Sequence, residues 1–374
     1  MKLNDGTFSS QDEVEIIAER ICRIIDRKWR IMEVCGGQTR SIVKYNVEAL
    51  LPPQIELVHG PGCPVCVTPS VVIDDAVSLV KNRGVTLLTF GDMMRVPDSG
   101  GKPLSDYRAG GNSVKIIYSP LDALDFAAAD TGREFVILAV GFETTAPLYA
   151  FAITEARKRK IRNLSFLSSL YTVPAAIGAI ASDSESRIDG ILAAGHVCSI
   201  TGEREYEILS RKINKPVVIT GFEPADIMLG IYVCLKLLQC GMATSKNAYR
   251  RAVAKEGNIK ARQIMYEVFE SCDSVWHGIG LIPESGLRLK KEYEQFDAAK
   301  RFSLKTAKMD DKNRFICPAG EIMQGKMQAG QCKYFGKQCT PETPLGAAMI
   351  TAEGVCSILY NYSSVKYGKA AVIR

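Results

Sequence analysis

The feature that most constrains this chain is a repeated pattern of a short apolar run, a glycine-bearing turn and then a helix. Residues 29–34 run into Cys35-Gly36-Gly37, and residues 55–58 into His59-Gly60-Pro61-Gly62-Cys63. Residues 85–90 lead to Gly91-Asp92, and residues 135–140 to Gly141-Phe142-Glu143-Thr144-Thr145. The runs 190–194 and 217–220 end in Gly195-His196-Val197-Cys198 and Gly221-Phe222-Glu223-Pro224. Helices are predicted between them, over 69–82, 146–160 and 224–239. Continuous apolar strands alternating with helices are the mark of a parallel sheet covered on both faces. In such folds the turn after each strand lies at the carboxyl edge of the sheet, where ligands bind. Glycine accounts for the turns. It does not account for Cys35, Cys63, Cys66, Glu143, His196 and Glu223 all falling at that one edge.

A length of 374 residues suggests two or three domains. The expected fold class is α/β: two parallel-sheet (Rossmann-like) lobes plus a mostly helical domain. One lobe is assigned to residues 28–125, with Cys35 and the Cys63/Cys66 loop, and the second to 126–243. Residues 1–27 and 244–374 form the helical domain, with helices expected over 247–255, 259–270 and 287–300. The opening helix, 10–27, carries a Ser10/Glu13 capping pattern and an apolar stripe from Val14 to Ile25. Cys22 lies beside that stripe and reads as a buried core thiol.

The first residues lack the apolar core of a signal peptide, and no apolar stretch is long enough to cross a bilayer. A cytoplasmic protein is expected, in which twelve cysteines stay reduced and serve metal binding or catalysis. The net charge of +6 is modest. The basic clusters at 157–160 and Arg250-Arg251 read as solvated helix faces, with no aromatic platform for nucleic acid. Nucleotide motifs also fail. No G-x-G-x-x-G follows a strand, and the P-loop-like segment from Gly320 to Lys326 is followed by Met327 in place of a hydroxyl residue.

Two thiol sets remain. Cys63-Pro64-Val65-Cys66 places two sulfurs one turn apart at a helix start, where a helix end favours thiolate and a dithiol can cycle to a disulfide. Half of a metal site is the other reading of that spacing. The tail carries Cys317, Cys332, Cys339 and Cys356, spaced C-x14-C-x6-C-x16-C. That spacing is unlike the two close pairs of a zinc ribbon. Four soft thiolates suit the four corners of an iron–sulfur cube. Cys35-Gly36-Gly37 reads as a nucleophile or ligand on a strand-to-helix turn, with His59 and His196 as proton carriers or metal ligands.

Taken jointly, Met32-Glu33-Val34-Cys35-Gly36-Gly37-Gln38-Thr39, His59 to Pro69, Gly141 to Pro147, Gly195-His196-Val197, Gly221 to Pro224, Glu256-Gly257-Asn258 and the four-cysteine tail resemble the HypD family of [NiFe]-hydrogenase maturation proteins. The resemblance implies a scaffold on which the Fe(CN)2CO unit of the hydrogenase is assembled. It implies work with a small HypC-type chaperone, and cyanide delivered by a HypE-type partner. It also implies a [4Fe-4S] cluster on Cys317, Cys332, Cys339 and Cys356, an iron-binding thiolate at Cys35, and a redox pair at Cys63 and Cys66 linked to the cluster. Carbon monoxide and cyanide would reach a transient iron there, with His59, His196, Glu143 and Glu223 around it. This chain departs from the family pattern at Gln38, where histidine is common, at Cys198, where serine is expected, and at His277, where arginine is expected. The rival reading is a free-standing oxidoreductase of the ferredoxin–thioredoxin reductase type; a structural four-cysteine metal module is a third.

Overall fold

The computed structural model describes residues 11–304 and 317–363. Ser10, half of the expected capping pattern, lies outside the described residues. The strands are β1 (Trp29–Glu33), β2 (Ile55–His59), β3 (Thr86–Thr89), β4 (Val114–Ile116), β5 (Phe135–Gly141) and β6 (Leu164–Tyr171). They continue as β7 (Gly190–Ala194), β8 (Val217–Thr220), β9 (Ser245–Asn247), β10 (Phe269–Trp276) and β11 (Gly280–Leu289). Two sheets result, one ordered β2-β1-β7-β8-β9 and the other β10-β11-β6-β5-β3-β4. Every pairing in the first sheet is parallel. In the second, β3, β4, β5 and β6 are parallel, while the β10–β11 hairpin adds antiparallel to β6.

The α/β class expected from the apolar runs is the class found. The reason is visible in β5 and β7, whose residues are all buried: with helices on both faces, no position along the strand can be polar. The helices Ser70–Asn82, Ala146–Lys158 and Pro224–Gln239 cover these faces. The last two begin with a proline in the first turn, where its missing N–H costs nothing.

Sheet membership does not follow the expected division at residues 125/126. The first sheet joins β1 and β2 to β7, β8 and β9, and the second takes β3 to β6 together with the late hairpin. The chain leaves the first lobe after β2, builds most of the second, and returns. Strands also persist beyond residue 244, contrary to expectation. β10 pairs with β11 across Phe269↔Leu289 to Trp276↔Gly280, and in place of one helix over 287–300 stand the end of β11, a 3-10 helix Lys291–Phe296 and a one-turn α-helix Ala298–Arg301. The helix expected over 247–255 is absent too; β9 ends at Asn247, and turns follow it. Of the three, only the helix expected over 259–270 forms as one continuous helix, Ile259–Val268.

Helix Gln11–Ile24 lays Val14, Ile17 and Ile21 on Ile227, Met228 and Ile231 of helix Pro224–Gln239. Cys22 is exposed rather than buried. It sits one residue, about 100° of helical turn, from the fully covered Ile21.

The tail does not stand apart. Ala319, Ile322, Met323, Cys339, Met349, Val355 and Cys356 share one apolar core with Cys35, Cys63, Cys66, Phe142 and Trp276. Trp276 is wholly buried, its ring 5.0 Å from Tyr171 and 5.9 Å from Phe142, and its Nε1 donates to Ser285 Oγ at 2.8 Å. The next residue, His277, donates its backbone N–H to Val67 O at 2.8 Å. The hairpin thereby closes over the segment that carries Cys63 and Cys66. Among the described residues no helix is long and apolar enough to cross a membrane.

Candidate functional site at the facing sheet edges

Strand β1 ends in a buried carboxylate. Glu33 has no exposed surface, a position that is costly for a charge unless it is bonded on several sides. Its Oε2 accepts the backbone N–H of Cys35 at 2.8 Å, and its Oε1 accepts from the Thr39 hydroxyl and from His59 Nδ1, the latter at 2.9 Å. One side chain therefore fixes the Cys35 turn, the first turn of helix Gly36–Lys44, and the end of β2. Donation from Nδ1 leaves the Nε2 of a neutral His59 as the lone-pair nitrogen, available to accept a proton or bind a metal.

Cys35 occupies the position just before helix Gly36–Lys44, with φ −149° and ψ 122°, and is buried. Its Sγ lies 3.7 Å from His196 Nδ1, at the start of helix Gly195–Thr201 after β7. Burial raises the Cys35 thiol pKa far above its ordinary value, and the nearby Glu33 adds to the effect. His196 keeps one exposed face, yet crowding of the rest of its ring lowers its pKa. Phe222 flanks that ring with centroids 5.3 Å apart. The free protein thus holds a protonated thiol against a neutral imidazole.

The second thiol loop touches the first through backbone. Gly36 N–H donates to Gly62 O at 3.3 Å, and a Cβ on Gly62 would sit 2.3 Å from Gly36 N and 2.5 Å from Cys35 Cα. Only glycine permits that approach. Cys63 then caps the single turn Pro64–Val67, its Sγ accepting the Cys66 N–H at 3.3 Å. Both sulfurs are almost fully covered, at 2% and 1% exposure for Cys63 and Cys66. The lowered thiol pKa expected from the helix start is not found at Cys66. Burial, followed by the neighbouring Cys63, drives it well upward, because loss of hydration outweighs the dipole of one short turn.

The tail thiols gather. Cys356 is raised by burial first, then by Cys317, Cys339 and Cys332, and Cys317 is pushed up to about 11 by burial with Cys339 and Cys332 adding to it. Cys339 Sγ accepts the Leu345 N–H at 3.4 Å, and a Cβ on Gly346 would fall 2.5 Å from Cys317 Sγ. Among the described residues no three Cys, His, Asp or Glu side chains meet at the spacing of a single metal ion. Cys317, Cys339 and Cys332 all lie close enough to bear on Cys356.

The other expected site residues diverge. Glu143 is buried, accepts the Val173 N–H on Oε1 at 2.9 Å, and has an unpartnered Oε2. Burial, with Glu205 adding to it, pushes its pKa up to about 8. Its companions are Cys198 and Tyr206, both fully buried, whose own pKa values rise through burial and through its charge. Glu223 instead stands exposed at the start of helix Pro224–Gln239. Gln38 is buried and structural, its Nε2 donating to Thr220 O at 3.1 Å and Gly221 O at 3.2 Å. Two participants escaped the motif analysis. Glu33 was visible as the one carboxylate of the run 29–34, whereas Thr351, which touches both Cys63 and Cys66, carried no signal.

Known proteins resemble this chain along most of its length. Residues 12–363 match the HypD model, described as the hydrogenase formation hypA family. The hydrogenase maturation factor HypD of Cupriavidus necator is 41% identical over 347 residues, spanning 91% of each chain. Its counterpart in Azotobacter vinelandii is 38% identical over 379 residues, covering 100% of this chain and 99% of the relative. That of Escherichia coli is 37% identical over 353 residues, covering 93% and 94%. With the family pattern matched from the first helix to the last cysteine, the chain belongs to the HypD family of hydrogenase formation proteins.

Proposed function

We propose that this protein acts in hydrogenase maturation as a redox-active scaffold for the Fe(CN)2CO unit of [NiFe]-hydrogenase. It would work with a small HypC-type chaperone and accept cyanide from a HypE-type partner. The observation that carries this reading is the meeting of Cys35, the Cys63/Cys66 pair and the cysteine tail in one core, with Cys35 3.7 Å from a neutral histidine.

Iron is the cargo. A soft thiolate suits an electron-rich iron, and Cys35 must lose its proton to become one. His196 Nδ1 is the nitrogen placed to take that proton, and its lowered pKa keeps the nitrogen unprotonated beforehand. Glu33 holds the Cys35 turn and the His59 ring in fixed orientation. The exposed face of His196 supports an approach by the small partner, which would bring the second thiolate.

Cys317, Cys332, Cys339 and Cys356 are the residues to hold a [4Fe-4S] cluster. Each sulfur then binds a different iron, and three thiols gathered around Cys356 suit the group. When bound, the cluster would store and pass single electrons. Cys63 and Cys66 would hold two electrons as thiols and release them on forming a disulfide. Reduction of client proteins, the rival reading, is disfavoured by the near-complete burial of both sulfurs, since exchange with a folded client needs far wider access than exchange with a small thiol.

Anaerobic co-purification with the small partner, followed by infrared spectroscopy, tests the proposal. Cyanide and carbonyl stretches are expected in the complex and absent from its Cys35→Ala variant. A complex without those bands, or a variant that keeps them at full strength, overturns it.

A further inference from the structure

Thr351 is 2% exposed and follows the turn Ala347–Met349 in the cysteine tail. Its hydroxyl lies 3.2 Å from Cys63 Sγ and 3.6 Å from Cys66 Sγ. The backbone around it is fixed, with Thr351 O accepting the Gly354 N–H at 3.1 Å and Ala347 O lying 3.8 Å from Cys66 Sγ. Its chain neighbours Met349 and Ile350 are buried and apolar. A hydroxyl held among them is costly unless bonded, and valine would fill the same shape without that cost.

We propose that Thr351 is a positioning residue for the dithiol, its hydroxyl hydrogen-bonding both sulfurs of the reduced pair and so setting the balance between dithiol and disulfide. Cys63 Sγ already accepts the Cys66 N–H, and a hydroxyl donated to it adds a second hydrogen bond to that sulfur. Cys66 can pass its S–H to the same oxygen. A disulfide has no S–H to donate and is a weaker acceptor, so these bonds favour the reduced state. Thr351 precedes Cys356 in the tail, and a shift of the tail would therefore change the dithiol directly. The inference rests on the reading above that Cys63 and Cys66 cycle.

The test uses the full chain, unaltered and as Thr351→Val and Thr351→Ser, equilibrated anaerobically in glutathione buffers. The exchange is Cys63–SH plus Cys66–SH plus oxidised glutathione, giving the disulfide and two reduced glutathiones, which carry away the two protons and two electrons. Acid quenching, denaturation and alkylation, read by the mass of the peptide containing both residues, give the equilibrium constant. Thr351→Val is expected to shift it about tenfold towards disulfide, about 30 mV for a two-electron couple, and Thr351→Ser to restore it within about twofold. Thr351→Ala serves where valine impairs folding. An unchanged constant in the variants lacking the hydroxyl overturns the inference while leaving the dithiol reading intact. Absence of any reversible disulfide in the unaltered chain overturns both.

Discussion

Cys35 Sγ and His196 Nδ1 lie 3.7 Å apart although 161 residues separate them in sequence. They come together because β1 and β7 are neighbours in the first sheet and both elements end at its carboxyl edge. A buried thiol with a raised pKa cannot bind iron at neutral pH until a base removes its proton. His196→Gln is therefore expected to slow the appearance of the cyanide and carbonyl bands on the order of a hundredfold at pH 7. The defect should shrink as pH rises and hydroxide takes over. Infrared time courses at several pH values check this, and a pH-independent defect would point to packing instead.

Glu33 accepts three donors without touching solvent. Glu33→Ala strands the His59 Nδ1–H and the Cys35 N–H together, while the Thr39 hydroxyl keeps Cys35 O at 3.1 Å as an acceptor. At about 1–3 kcal/mol for each buried unsatisfied group, a loss of several kcal/mol is expected in urea unfolding. Glu33→Gln keeps one acceptor oxygen and should lose about half as much.

The Glu143 carboxyl belongs with Val173, Glu205, Cys198 and Tyr206 rather than with Cys35. Its folded pKa of about 8 lies above the ordinary 4.5. The folded state thus binds the proton more tightly than the unfolded chain, and the stabilising protonated form is lost as pH rises through 8. Glu143→Gln keeps an acceptor for the Val173 N–H and carries no charge. Relative to that variant, the unaltered protein is expected to lose stability progressively between about pH 5 and pH 9, by up to several kcal/mol. Parallel denaturation curves across this range decide the matter.

Each tail cysteine is expected to be indispensable to the iron–sulfur group. Single Ala variants at Cys317, Cys332, Cys339 and Cys356 should each lose most of their iron and sulfide in anaerobic analysis. Four variants with full iron content would reassign the cluster.

The parallel strands were legible because burial on both faces demands unbroken apolar runs, as in β5 and β7. The late hairpin was not. Glu270, Cys272, Asp273 and Ser274 interrupt β10, which has one neighbour and half-exposed faces. Leu287, Leu289, Tyr293 and Phe296 imitate one helical stripe, yet the first two alternate on β11 and the last two lie in a separate 3-10 helix. Spacing also identified the thiols but could not separate Glu143 from Glu223. Their Gly-Phe-Glu contexts are identical, and only the surrounding packing buries one and exposes the other. Thr351 was invisible because its partners lie 285 and 288 residues away.

The alternation of the chain between the two sheets dictates the order in which the molecule can mature. The Arg30 backbone N–H of β1 can donate to Asp189 Oδ2 only after 159 further residues exist, so the Cys35 turn emerges from the ribosome long before the strand that completes its sheet. The dithiol waits longer still, since both the hairpin above it and Thr351 come from the last third of the chain. Long-range closure of this kind is slow, and until it finishes the nascent protein exposes thiols and unpaired strand edges together. On the proposed function, a chain cut short before Thr351 would keep the Cys35 and His196 pairing yet lack both the hydroxyl beside the dithiol and the last of the tail thiols.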